Sequence, residues 1–189
     1  METLIKRGNV VGVADFTTTE IADQICGGVL AACPDRLENA GLKGIPQVVS
    51  LGALDMCNFG PFETLPRPQV HSMRKLLRHN ENVTLMRTSK VECAKIGRVI
   101  AGKLNKARGA TELFIPLKGL SSVSTRGGIF YDNKADEALI KSLKENIDTS
   151  KVVIHEINED INDDNFALAM AQKLHELIGE GKVGLCYDD

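Results

Sequence analysis

The sequence predicts an α/β protein of three layers, with a mostly parallel sheet of about five strands, over residues 1–189 as a single lobe. Three observations predict it. Short apolar runs alternate with longer stretches of helical periodicity, the pattern of a parallel sheet covered by helices. The core must be aliphatic, because Trp is absent and aromatic residues make up 4% of the chain, as in sheets buried on both faces. The length of 189 residues, 43% hydrophobic, suits one domain whose core needs no covalent staples.

The elements follow in order. Val10–Ala14 reads as a buried strand, followed by Asp15-Phe16-Thr17-Thr18-Thr19-Glu20. Thr17 and Glu20 have capping-box spacing, so a helix should start there and carry Ile21, Ile25 and Val29 on one face until Gly27-Gly28 weakens it. Pro34–Ala40 reads as a short helix stopped by Gly41 or Gly44. Pro46–Leu51 is a second strand, and Gly52 to Pro68 an irregular stretch too long to be a plain connection. Val83–Met86 is a third strand. Ser89 and Glu92 give a second capping box, for a helix to about Lys106 with Cys93, Ile96, Ile100 and Leu104 on one face. Glu112–Leu117 and Val152–His155 are the fourth and fifth strands, flanking a helix over about Lys134–Asn146. A last helix carries Phe166, Met170, Leu174 and Ile178, with Asn162 or Asp163 as its cap.

Composition excludes several function classes. Lys and Arg total 23 against 25 Asp and Glu, a net charge of -2 with no basic block, so no footprint for nucleic acid is present. No run approaches the ~20 apolar residues of a membrane span, and Met1–Val10 lacks a signal-peptide apolar region; the expectation is a soluble, cytoplasmic protein. The five cysteines, Cys26, Cys33, Cys57, Cys93 and Cys186, are odd in number and form no CxxC pair. They read as small core residues rather than a disulfide or zinc framework.

In a parallel α/β sheet, ligands bind beyond the carboxyl ends of the strands. The candidate segments are therefore Asp15 to Glu20, Leu51 to Gly60, Arg87-Thr88, Lys118 to Asp132 and Asn158 to Asp163. Thr17, Thr18 and Thr19 place three hydroxyls at a helix start, where free N–H groups favour an anion; against this, one threonine can simply cap the helix. Lys118-Gly119 with Arg126-Gly127-Gly128 resembles an anion cradle, although neither GxxxxGK[ST] nor GxGxxG occurs. Asp15, Asp55 and Asp132 are candidates for a metal or an acid–base pair, with His79 nearby in sequence. Cys57 is a candidate reactive thiol. His155 at a strand end and the basic run Arg74–His79 read as structural and solvated.

A resemblance sharpens this. Asp15–Asp23, Gly28–Leu30, Pro34–Leu37, Ile45–Val49, Gly52–Met56, Asn58–Pro61, His79-Asn80 with Val83–Thr88, Pro116–Gly119, Gly127–Asp132 and Ile161–Asp163 follow one another as ordered motifs across nearly the whole chain. They resemble the second lobe of the ATP-binding region of the tobamovirus-resistance (replication-inhibitor) protein family and its bacterial, archaeal and fungal relatives. Ile129 stands where members commonly have Pro. The resemblance implies a Rossmann-like lobe, one of two in the family region, with a first lobe closing a cleft over these loops. ATP with magnesium is the cofactor it implies, and self-association or a chain supplying the first lobe is the partner it implies.

The combined expectation is a lobe holding an anionic or phosphate-bearing small molecule at the strand ends. Thr17–Thr19, Gly127 and Gly128 would hold the anion, Asn58 and Asp132 orient hydroxyls, and Arg87 and Lys118 offset charge. Two alternatives stand beside it: an enzyme acting on a small carbonyl or carboxylate compound through Asp55, His79 or Asp132, and an interaction module for another chain. No catalytic residue is assigned and no metal is expected.

Overall fold

In the computed structural model, residues 1–65 and 73–183 are described, the side chains of 181–183 excepted; Pro66, Pro68 and Cys186 lie outside the described residues. Four strands, β1 (Val13–Thr17), β2 (Gln47–Gly52), β6 (Thr111–Pro116) and β7 (Val152–Ile157), form a parallel sheet in the order β1-β2-β6-β7. The order runs in one direction. Right-handed crossovers therefore place α2 (Thr19–Cys26), α4 (Lys90–Leu104) and α5 (Asn133–Asn146) on one face. Their apolar stripes meet Val49, Leu51, Leu113, Ile115 and Val152 in the main core. Alternate strand residues point the other way, so Val48 and Phe114 pack on Phe166 and Met170 of α6 (Asp164–Val183). This is the α/β three-layer architecture the sequence predicts, with four strands in the parallel sheet.

The strand predicted at Val83–Met86 forms, as β5 (Thr84–Arg87), but in a different sheet. It lies between β3 (Met56–Phe59) and β4 (Leu76–Arg78), antiparallel to both. Two expectations change as a result. The irregular stretch after β2 contains β3 and a 3-10 turn at Phe62–Thr64, and the basic run Arg74–His79 contains β4 rather than a solvated face. Arg74 there ion-pairs with Glu92 at 2.6 Å. A short α1 (Glu2–Lys6) and α3 (Asn39–Lys43), ended by left-handed Gly44, complete the elements.

The two capping boxes have different outcomes. Ser89 accepts from the Glu92 N–H at 3.3 Å, and Glu92 accepts from the Ser89 N–H at 2.7 Å, a complete box. The Thr17 box does not form: Thr17 is the last residue of β1, paired with Gly52, and Thr18 occupies the cap position without a side-chain cap bond. The helices α4 and α5 approach so closely that a Cβ on Gly97 would lie 2.5 Å from the Leu139 carbonyl oxygen and 2.9 Å from the Leu143 nitrogen. Among the described residues, no helix is long and apolar enough to cross a membrane.

Candidate functional site

Backbone bonds knit the predicted loops together along the carboxyl edge of the parallel sheet. Thr18 N–H donates to Gly52 O (3.0 Å), Ala53 N–H to Leu120 O (2.7 Å), Lys118 N–H to Glu159 O (3.1 Å) and Ile161 N–H to Gly119 O (3.1 Å). Ala53 holds a left-handed backbone at φ 57° where β2 ends, a conformation that costs a non-glycine residue ~1 kcal/mol or more.

A groove of about 650 Å³ opens on this edge, between the β6 end and the start of α5. Lys118, Gly119, Arg126, Tyr131, Asn133 and Asp136 are among its lining residues. Arg126 is exposed and has no hydrogen bond or ion pair among the described residues. Lys118 reaches Glu159 at 3.0 Å but stays half exposed. Gly127, at φ +90° with open space where a side chain would stand, lets the backbone turn beside the groove. Asp132 caps α5 by accepting from the Ala135 N–H at 3.1 Å, and the first helical N–H groups, at Asn133 and Lys134, have no acceptor within the helix. An unpaired guanidinium and a helix start thus face one recess of mixed polar and apolar lining. Asp136, Glu137 and Asp160 on the same walls limit how much negative charge it accepts.

The other predicted residues lie elsewhere or act inward. Thr18 is fully buried and donates to Ser50 O at 3.2 Å; Thr19 donates to Met56 O at 3.4 Å. Of the three threonines, only Thr17 is exposed, so the triple-hydroxyl anion site is corrected to two internal anchors and one exposed strand residue. Asn58 is corrected likewise: it is buried, and its backbone N–H (2.6 Å) and side-chain amide (3.2 Å) both donate to Asp23. Gly128 donates its N–H to Thr125 O at 2.8 Å, within the loop. Asp15 belongs to β1 and pairs with Arg36 at 2.6 Å. His79 is exposed beside the β4–β5 turn. Cys57 is buried, and a hydrogen bond with Cys26 together with burial pushes its thiol up, opposite to a reactive thiolate. Among the described residues, no three His, Cys, Asp or Glu side chains group to hold a metal ion.

Arg87 is buried and every nitrogen of its guanidinium is engaged. Nε donates to Phe130 O (2.7 Å), Nη1 to Asp55 O (3.1 Å) and Thr88 Oγ1 (2.9 Å), and Nη2 to Asp132 O (3.3 Å) and Asp136 Oδ1 (2.5 Å). It has no donor to spare for a ligand. Its role is corrected from charge offset to holding the 126–132 loop and the start of α5 on the second sheet.

Around Arg87 lie Asp55 and Asp136. Asp55 is fully buried; one oxygen accepts from Ser121 Oγ at 2.8 Å and the other has no hydrogen-bond partner among the described residues. Burial pushes its carboxyl up, against the pull of Ser121 and Arg87. Burial likewise raises Asp136 to about 6; Arg87 offsets part of this, and the charges of Asp55 and Asp132 add to it. A carboxyl raised above its unfolded value of 3.8 binds protons more readily in the folded chain. Stability from this group therefore falls as pH rises through about 4 to 6, by at most ~3 kcal/mol. Urea midpoints across that window should fall for the wild type, and Asp136→Asn, which keeps an acceptor for Arg87, should flatten the slope. An unchanged slope would show that Asp136 titrates normally.

Three residues that position this edge were missed. Asp23 anchors the Gly28–Leu30 turn against β3; Arg36 bridges α1, β1 and α2 through Glu2, Asp15 and Glu20; Asp136 sits one turn after the Asp132 cap. Only Asp136 carried a sequence signal, an acid in the first turn of a helix following a candidate loop.

One family profile and three relatives match nearly the whole chain. The family profile described as "Uncharacterised protein family (UPF0261) C-terminal domain" matches residues 1–178. A UPF0261 protein of Clostridium tetani is 54% identical over 174 residues, 92% of this chain and 43% of that protein. A UPF0261 protein of Rhizobium meliloti is 45% identical, covering 89% of this chain and 42% of its own length. The ToMV resistance protein Tm-1 of Solanum lycopersicum is 42% identical over 180 residues, 94% of this chain and 23% of that protein. The chain thus spans less than half the length of these relatives.

Proposed function

The chain belongs to the UPF0261 family, matching its C-terminal domain, and from that premise we propose that it is the ligand-binding lobe of a two-lobe protein, holding an anionic small molecule in the groove beside β6. One observation carries the reading: an exposed Arg126 with no partner among the described residues faces the same recess as Lys118 and the N-terminus of α5. Three apolar side chains at this edge, Leu117, Ile129 and Tyr131, are 45%, 47% and 42% exposed. That supports a second lobe, or another copy of the chain, closing over them. The lobe would correspond to the part of the relatives that this chain does not span.

ATP with magnesium falls within this ligand class. With Lys118 shared with Glu159 and with Asp136, Glu137 and Asp160 on the walls, the groove matches a mono- or dianionic group better than a bare triphosphate. A triphosphate would need a bound cation to screen it from these acids.

The test is a thermal-shift titration with inorganic phosphate, citrate and ATP with magnesium. Binding to the folded state raises the midpoint; a ligand at ~100 times its Kd adds roughly 2.7 kcal/mol. Arg126→Ala should reduce the shift most and Lys118→Ala less, since Lys118 is already paired. Equal shifts in wild type and Arg126→Ala would remove the groove from consideration.

A second reading, an enzyme acting on a small carbonyl or carboxylate compound, is favoured by one feature: Asp136, raised to about 6, stands in the groove wall, as suits a proton-transferring group.

A further inference from the structure

The groove does not end at α5. A second recess, of about 550 Å³, adjoins it and shares Leu117, Glu137 and Ile140 with it. Its remaining walls are Lys141, Lys144 and Glu145. The ammonium of Lys141 lies toward Glu145 (3.8 Å) and that of Lys144 toward Glu156 (2.6 Å), so the charged heads are drawn to neighbouring carboxylates and the stems can line the recess. Apart from Leu117, every wall residue belongs to α5, whose backbone groups are bonded within the helix. The recess therefore offers apolar surface with few fixed donors or acceptors.

We infer that the ligand of the groove is an amphiphile, with an anionic head at Arg126 and the start of α5 and an unbranched apolar tail over Leu117 and Ile140. The inference rests on the anion reading above and adds the tail. Charge complementarity fixes the direction: the unpaired cation lies at the polar end, whereas both lysines at the far end already face carboxylates. A nucleobase is less suited to that end, because a base edge left without hydrogen-bond partners loses what it made with water.

The test is a calorimetric series with inorganic phosphate and with ethyl, butyl and hexyl phosphate below their aggregation concentrations, alongside hexanol and AMP. Affinity should rise about twofold per added methylene, half the full transfer free energy of a methylene, as suits a half-open surface. Leu117→Ser, which adds no charge, should reduce that increment and leave inorganic phosphate unaffected; Arg126→Ala should weaken every phosphate by a similar factor. Leu117 follows the last residue of β6 and is 45% exposed, so the variant should keep its unfolding midpoint. Leu117→Ala serves as a second, milder variant if it does not.

Inorganic phosphate binding as tightly as hexyl phosphate would overturn the tail and leave the anion reading standing. Binding by no phosphate would overturn both. Hexanol binding as well as hexyl phosphate would overturn the anionic head. AMP binding more tightly than hexyl phosphate would replace the tail with a base, and capture by anionic lipid vesicles without binding of monomeric hexyl phosphate would replace it with a membrane surface.

Discussion

Replacing Arg87 with alanine should lower the stability of the fold by about 3 kcal/mol, because it leaves a largely buried carboxylate without its counter-ion. The effect is large because the guanidinium joins three parts of the chain. It holds the Asp55 turn after β2, the Phe130–Asp132 segment of the groove loop and the first turn of α5. Asp136 then stays largely buried, with the charges of Asp55 and Asp132 nearby and its counter-ion gone. Arg87→Lys should recover little, since one ammonium cannot reproduce a planar fork serving five acceptors. In an Asp136→Asn background the cost of Arg87→Ala should shrink by ~1 kcal/mol or more, because the orphaned charge is gone. Chemical denaturation of the four proteins measures this coupling. A cost for Arg87→Ala below about 1 kcal/mol would mean that the loop and α5 are held by other contacts.

Asp23→Ala should cost about 3 kcal/mol, and Asp23→Asn nearly as much. Asp23 is fully buried and accepts from three donors: Asn58 N–H at 2.6 Å, Leu30 N–H at 3.0 Å and the Asn58 amide at 3.2 Å. Burial pushes its carboxyl up and these bonds pull it back. Alanine strands two backbone N–H groups, each at roughly 1–3 kcal/mol. Asparagine fails for a sharper reason: both oxygens of Asp23 receive donors, and an amide presents NH₂ where one of those oxygens stood. Rescue by asparagine, read from urea midpoints, would show that only one oxygen matters.

Helices α2, α4, α5 and α6 and the parallel strands could be read from the sequence because their signals are local; α1 was not predicted, and the helix expected over Pro34–Ala40 forms instead as α3. The Ser89–Glu92 box, the Leu139/Leu143 face of α5 and the Phe166/Met170 face of α6 each lie within one or two helical turns. The second sheet could not be read, although β5 itself could. Its partners are separated by loops, and β3 (Met56-Cys57-Asn58-Phe59) is buried at all four positions, so no alternation marks it. Thr17 illustrates the same limit: its capping pattern is genuine, but pairing with Gly52 keeps it in the strand.

For the candidate site, the sequence placed the loops but not the roles. Arg87, Asn58 and Thr18 are polar residues on or beside the predicted segments. Whether such a side chain faces a ligand or the interior depends on distant partners, Asp136, Asp23 and Ser50, that sequence spacing cannot specify. The glycine-rich segment was the better guide, because Gly127 and the α5 cap are local features and the groove forms beside them.

The most direct test of the account is an amide chemical-shift map of the ¹⁵N-labelled chain during a phosphate titration. An anion held by Arg126 and the start of α5 should move the amide signals of Gly119, Gly127 and Asn133 together, on one binding curve, and leave Thr18 and Asn58 still. Shifts centred on Thr17 to Glu20, with Gly127 and Asn133 unmoved, would place the anion at the end of β1 and contradict it.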